Sequence, residues 1–310
     1  MKRIFKTVDG HLTEVSTMEK GTWVHLQSPT REELSGMNAR FGLNSTYLTA
    51  ALDVEESARI EQDDGQTLII VDTPFVEADG SSYVYSTVPV GIVLVEDVII
   101  TVTTQETSVM TDFMEERLRG FSTEKRQRFI LQLLYRNASL FLSYLKQVDK
   151  ASVHVQKQLE KSLRNRELLQ MMKLEKSLVF FSTSLKGNEL VLEKMMRMPL
   201  LTSVPDASDL LEDVIIENKQ AMEMCTIYRD ILSGTMDAFA SVISNNLNIV
   251  MKVLTSLTVV MSIPTIFSSL WGMNVAVPFS ESPYAFHIVV GLSIVVAAIA
   301  FYYLWRKKMF

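Results

Sequence analysis

Apolar residues in the first hundred positions fall into short runs with the period of strands. The pattern predicts strands at 22–26, 68–71 and 83–85, and a hairpin in which 92–95 and 98–102 are joined by Glu96 and Asp97. Between them, 28–40 and 45–57 carry helical periodicity, the first opening with Ser28, Pro29, Thr30 and a glutamate pair suited to a helix start. From 122 onward the period is helical, which predicts helices over 123–164 and 167–198, broken by Pro199 and Pro205. After the N-cap candidates Asp206 and Ser208, no terminator precedes Pro264 apart from Gly234, which a long helix absorbs at about 1 kcal/mol. A helix over 206–270 would measure roughly 100 Å. Along it Leu211, Val214, Asn218, Ala221, Cys225, Tyr228, Leu232, Thr235, Phe239, Val242 and Asn246 keep a three-four spacing, the seam of a coiled-coil-like bundle.

The last sixty residues change character. From 253 to 310 the only charged residues are Glu281, Arg306, Lys307 and Lys308. Residues 253–271 form a charge-free run of 19 and residues 285–305 one of 21, and about 20 apolar residues cross roughly 30 Å of hydrocarbon. Two such runs in tandem predict a transmembrane hairpin. Lys252 precedes the first, Arg306, Lys307 and Lys308 follow the second, and 272–284 holds no Lys or Arg, so both termini are expected on the cytoplasmic side of the plasma membrane. Trp271, Tyr284, Tyr302, Tyr303 and Trp305 stand near the span ends, where amphipathic rings anchor in the headgroup layer.

The expected organisation is an α+β cytoplasmic domain over 1–121, arranged as an α/β/α sandwich, and a long helical hairpin over 122–205. A stalk helix (206–252), a first span (253–271), an external loop (272–284), a second span (285–305) and a basic tail (306–310) complete it.

Composition narrows the chemistry. A net charge of −6 argues against nucleic acid as a partner, because such binding needs a basic surface. The single cysteine, Cys225, excludes an internal disulfide framework and a CxxC metal site, and reads as a packing residue. Residues 1–10 have basic members but no apolar core of signal-peptide length behind them. There is no GxxxxGK[ST] loop and no HExxH, and His11, His25, His154 and His287 lack ligand spacing. No nucleotide and no ATP-driven pumping are expected, nor any enzyme activity. Met171, Met172, Met195, Met196 and Met198 read as flexible packing rather than a soft-metal site.

One pattern inside the first span points to function. Thr255, Thr258, Ser262, Thr265 and Ser269 recur at three-four spacing and share one helix face, extended toward the cytoplasm by Asn248 and Met251. Lipid offers hydroxyls no partner, so this face is expected to look inward. One hairpin cannot enclose a wet path, so a pore lined by the stripe requires a homo-oligomer in the bilayer.

Trp271 is followed by Gly272, Met273 and Asn274, and this Gly-Met-Asn signature, placed after the first of two C-terminal spans, resembles the CorA family of magnesium channels. The stretches NIVMKVL (248–254), YRDILSG (228–234) and IEQDDGQTLIIV (60–71) are also similar to that family. The resemblance implies a homopentameric funnel that passes Mg²⁺, and also Co²⁺ or Ni²⁺, without enzymatic chemistry. It assigns Asn274 to the hydrated ion, Asn248, Met251, Leu254 and Thr265 to the pore lining, and Met251 with Leu254 to an apolar constriction. Mg²⁺ dehydrates reluctantly, so a ring of Asn274 carbonyls would select it by accepting hydrogen bonds from its waters. Gly272 is expected to permit the turn and Met273 to pack beneath the loop.

The resemblance further implies that intracellular Mg²⁺ bridges subunits and shuts the pore, with Asp213 at the matching stalk position. Where the family's partner carboxylates would fall stand Thr49 and Ala50, with Asp53 or Glu56 as substitutes. Other departures are the single acidic loop residue Glu281, a proline one position later than usual, and Ser262 in place of a bulkier side chain. A Zn²⁺ transporter, including a proton-coupled one, and a membrane-tethered sensor without transport are the competing readings.

Overall fold

The computed structural model describes residues 1–310 apart from 45, 80–81, 119, 163–164, 199–204, 276, 279–281, 308 and 310. Pro199, Glu281 and Lys308, used in the sequence reading, lie outside the described residues. The described chain forms two compact units, Met1–Gly234 and Thr235–Phe310.

In the first unit a mixed seven-stranded sheet is built from β1 (Lys2–Val8), β2 (His11–Glu14), β3 (Thr22–Gln27), β4 (Arg59–Asp63), β5 (Gln66–Asp79), β6 (Ser82–Val95) and β7 (Val98–Thr103). Its order is β2-β1-β3-β7-β6-β5-β4. The pair β3 and β7 is parallel; the remaining neighbours are antiparallel.

Side chains alternate across a strand, so adjacent residues supply opposite faces. Trp23, Ile69, Ile92 and Ile99 enter one core with Phe113 and Phe129, which come from α3 (Ser108–Met114) and α4 (Arg126–Ser162). Val24, Ile70, Val93 and Ile100 enter the other with Met37, Tyr47 and Leu48, from α1 (Arg31–Phe41) and α2 (Tyr47–Ala50). Helices therefore cover both faces, the expected α/β/α sandwich.

The hairpin of β6 and β7 closes with Val95 opposite Val98. Three strands escaped the sequence reading: β1, β2 and β4. Two of the turns that join them carry an explicit signal, Asp9-Gly10 and Asp64-Gly65, all four residues at positive φ, the backbone that a two-residue hairpin turn requires.

Helix α1 begins with a full capping box. The Thr30 hydroxyl accepts from the Glu33 N–H, and the Glu33 carboxylate accepts from the Thr30 N–H. The expected helix over 45–57 is reduced to α2. Beyond it, Leu52, Asp53 and Glu56 donate to carbonyls three residues back, and the Asp53 side chain accepts from the Glu55 N–H. Such local bonds compete with a continuing helix.

Helices α4 and α5 (Asn165–Met195) form the long hairpin. It is fastened to the sheet at Asp72, whose carbonyl accepts from Asn137 at 2.7 Å and from Asn188 at 2.8 Å, while its N–H donates to Asn188 Oδ1 at 2.9 Å. The 67-residue α6 (Pro205–Trp271) follows, then α7 (Ala285–Arg306).

The predicted seam of α6 divides at Gly234. Above it Leu211, Val214, Asn218, Ala221, Cys225 and Leu232 are buried within the chain's own fold. Asn218 donates to the Leu185 carbonyl and the Cys225 thiol to that of Leu178, both on α5. Below it Val242 and Asn246 are exposed. The upper seam is thus a contact of α6 with its own hairpin, a distinction that spacing alone does not carry.

Candidate ion-path residues

Helices α6 and α7 are each long and apolar enough to cross a membrane. Their less exposed positions recur at helical spacing. On α6 these are Ser256, Val260, Ile263, Phe267 and Trp271, and on α7 Ala285, Val289, Ser293, Val296, Ala297, Ala300 and Leu304. Ser256 is fully buried and its hydroxyl donates to the Met309 carbonyl at 3.4 Å. Sequence reasoning passed over Ser256, because its role depends on the returning chain.

Thr255, Thr258, Ser262, Thr265 and Ser269 all remain exposed. At about 100° per residue, this stripe and the shielded row of Ser256, Val260, Ile263, Phe267 and Trp271 lie on opposite sides of the helix. The protomer therefore leaves its hydroxyl face uncovered. Met261, Ile266 and Leu270 complete a shallow groove along that face with four of the five hydroxyl residues. Ahead of the stripe in the chain Asn248, Met251 and Leu254 are exposed as well, Met251 at 52% and Leu254 at 56%.

Three of the five hydroxyls share one arrangement. Thr258 donates to the Leu254 carbonyl at 2.8 Å, Ser262 to that of Thr258 at 2.7 Å, and Thr265 to that of Met261 at 3.5 Å. With their protons committed four residues back, these three hydroxyls present lone pairs outward. A row of acceptors suits a hydrated cation, whose waters point their protons away from the metal. Pro264 has no N–H to donate, yet helix geometry continues through it.

Helix α6 ends at Trp271, whose indole N–H donates to the Pro278 carbonyl at 3.2 Å and closes the loop back on the helix end. The Gly272 N–H donates to the Ser268 carbonyl, and a Cβ on Gly272 would lie 3.1 Å from that same oxygen. Glycine at 272 thus suits the close approach at this helix end. Met273 is 54% exposed. Asn274 is exposed and makes no side-chain hydrogen bond among the described residues.

Asp213 and Asp53 are both exposed. No group of three or more metal-ligating side chains forms among the described residues, so one protomer does not bring these carboxylates into a complete site.

The sequence profile described as "CorA-like Mg2+ transporter protein" matches residues 19–308. The chain is 26% identical over 315 residues to the "Cobalt/magnesium transport protein CorA" of Methanocaldococcus jannaschii, covering 97% of this chain and 95% of that protein. It is 24% identical over 323 residues to the protein of the same name from Thermotoga maritima, covering 99% and 88%. In structure it resembles the complete CorA magnesium transporter of Methanocaldococcus jannaschii at a TM-score of 0.85 and 22% identity, over 99% of this chain and 98% of the other. A match over nearly the whole length, joined to two membrane-length helices with a free hydroxyl face, places this chain in the CorA-like Mg²⁺ transporter family, whose members transport divalent cations and are not enzymes.

Proposed function

We propose that the chain works as a homo-oligomeric channel for hydrated Mg²⁺, with both termini in the cytoplasm and the first span of each protomer facing a shared axis. The carrying observation is the placement of the hydroxyl row opposite the side of α6 that its own chain shields. A lone protomer in lipid would leave five hydroxyl residues against acyl chains, and gathering the helices around an axis removes that cost. The count of five protomers comes from the family resemblance.

In this reading Asn274 forms the outer ring and accepts hydrogen bonds from the ion's waters through its amide oxygen. Thr265, Ser262, Thr258 and Thr255 continue the acceptor row inward to the apolar constriction of Leu254 and Met251, with Asn248 beneath. Selection then follows from the fit of an intact octahedral hydration shell. Intracellular divalent cations close the pore by bridging Asp213 of one protomer to a carboxylate of the next, for which Asp53 is the candidate.

Flux of Mg²⁺, Zn²⁺ and Ni²⁺ into liposomes carrying purified wild type or Asn274→Ala tests this directly. The expected result is Mg²⁺ flux that collapses in Asn274→Ala. Zn²⁺ flux without Mg²⁺ flux would replace this reading with that of a Zn²⁺ transporter, and flux of none of the ions would overturn transport altogether.

A further inference from the structure

Strand β4 pairs with β5 only as far as Arg59, opposite Ile70, so the edge of β5 at Asp72 lies beyond its neighbour strand. Side-chain amides take the place of that strand. Asn188 accepts from the Asp72 N–H and donates to its carbonyl, and Asn137 donates to the same carbonyl. Ser184 stands one turn before Asn188 on the same face of α5, where it hydrogen-bonds the Asp72 carboxyl group and donates to Thr87 Oγ1 of β6 at 2.8 Å. The next residue, Leu185, accepts from Asn218 of α6 at 3.1 Å. One turn of α5 therefore joins β5 and β6 to α6.

The acid in this joint has no cation beside it. Burial raises the pKa of the half-buried Asp72 carboxyl group, and the Ser184 hydroxyl only partly offsets this. The charged groups on the surrounding elements are engaged elsewhere or exposed. Arg59 of β4 pairs with Glu56 and Glu61, Arg136 of α4 with Asp112, and Lys194 of α5 donates to the Ile60 carbonyl. Lys186 of α5 and Glu77 of β5 are exposed, and Glu189 of α5 is half-buried.

The cluster is also short of donors. Ser184 has one proton, and both an ionised Asp72 and Thr87 Oγ1 draw on it. Asn137 Oδ1 is buried at the same joint without a partner. A proton on Asp72 relieves the shortage, because the carboxyl group then donates to Ser184 while Ser184 keeps its bond to Thr87.

We propose that Asp72 is a proton-sensitive latch between the sheet and the helical hairpin. With the carboxyl group neutral, residues 184–188 are held closely to β5 and β6. With it ionised, the joint opens more often and loosens the hold of α5 on α6 at Asn218. Such local opening is a low-lying excursion of the folded state. The latch does not depend on which ion the chain passes, because it is read out by hydrogen exchange and not by flux.

Hydrogen exchange of the full-length protein in detergent, corrected for the intrinsic effect of pH, provides the test, with α1 as the reference segment. In wild type, exchange around 72 and 184–188 is expected to slow relative to α1 as the pH falls from 7 to 5. Asp72→Asn is neutral at every pH and should exchange there at least about fivefold more slowly than wild type at pH 7, the worth of one net hydrogen bond. That difference should close on acidification.

Faster exchange of Asp72→Asn at every pH would make Asp72 a structural carboxylate and overturn the latch. Identical exchange of the two proteins, or a wild-type profile that runs parallel to α1, would overturn it as well. If Asp72→Asn does not fold, the wild-type profile decides alone.

Discussion

The Ser262 hydroxyl donates to the carbonyl oxygen of Thr258 at 2.7 Å, so its proton is occupied and its lone pairs face away from the helix. Ser256, on the opposite side of the same helix, is fully buried against its own chain. The two serines therefore differ in surroundings while sharing a helix. Ser262→Val removes an acceptor from the proposed ion path and is expected to lower Mg²⁺ flux by about fivefold or more, equivalent to about 1 kcal/mol for one net hydrogen bond. Ser256→Ala should leave flux close to wild type. Liposome flux assays on both variants check this, and equal losses would remove the distinction between the faces.

Gly91 in β6 lies where a Cβ would come within 2.7 Å of the Ala51 Cβ. Ala51 is itself fully buried beneath the sheet. Gly91→Ala is therefore expected to destabilise the fold by about 1–3 kcal/mol through overpacking, seen as a fall in Tm. An unchanged Tm would mean that the segment after α2 yields readily.

Cys225 is fully buried, its thiol donates to the Leu178 carbonyl at 3.2 Å, and burial pushes its pKa up to about 11. At pH 8 only about one thiol in a thousand would be ionised. Maleimide labelling of native protein should be negligible over minutes and become stoichiometric after denaturation. Rapid labelling of the folded protein would show that α6 separates from α5 in solution.

His25 is 1% exposed, and burial lowers its pKa from 6.5 to about 4. The folded state keeps the ring neutral while the unfolded chain takes up a proton below pH 6.5. The stability this protects is complete above pH 6.5 and is lost as the pH falls toward 4, an effect of about 3 kcal/mol at most. Thermal melts of wild type and His25→Gln at pH 7, 6 and 5 should show a steeper decline for wild type. Parallel declines would assign the pH dependence elsewhere.

Much of this molecule can be read from local pattern. The charge-free runs, the hydroxyl stripe, the hairpin at Glu96 and Asp97, and the Thr30 helix start each depend on neighbours within one or two turns of chain, where spacing dictates which side chains meet. Asp9-Gly10 and Asp64-Gly65 were equally local, and the hairpins they form were within reach of the same reasoning. The helix over 45–57 failed for a local reason too, since Asp53 caps its own backbone.

Other features depended on which surfaces meet across long stretches of chain. A three-four row of apolar residues fits a partner subunit and the chain's own hairpin equally well, and only the contacts of Asn218 and Cys225 with α5 decide for the latter. The burial of Ser256 under the returning C-terminus and the close approach of Ala51 to Gly91 both follow from approaches between distant segments. Sequence by itself determined where apolar surface must be buried, because hydrophobic period is a property of consecutive residues. Tertiary structure decided what buries it, because a helix face carries no record of its partner until the two are packed together.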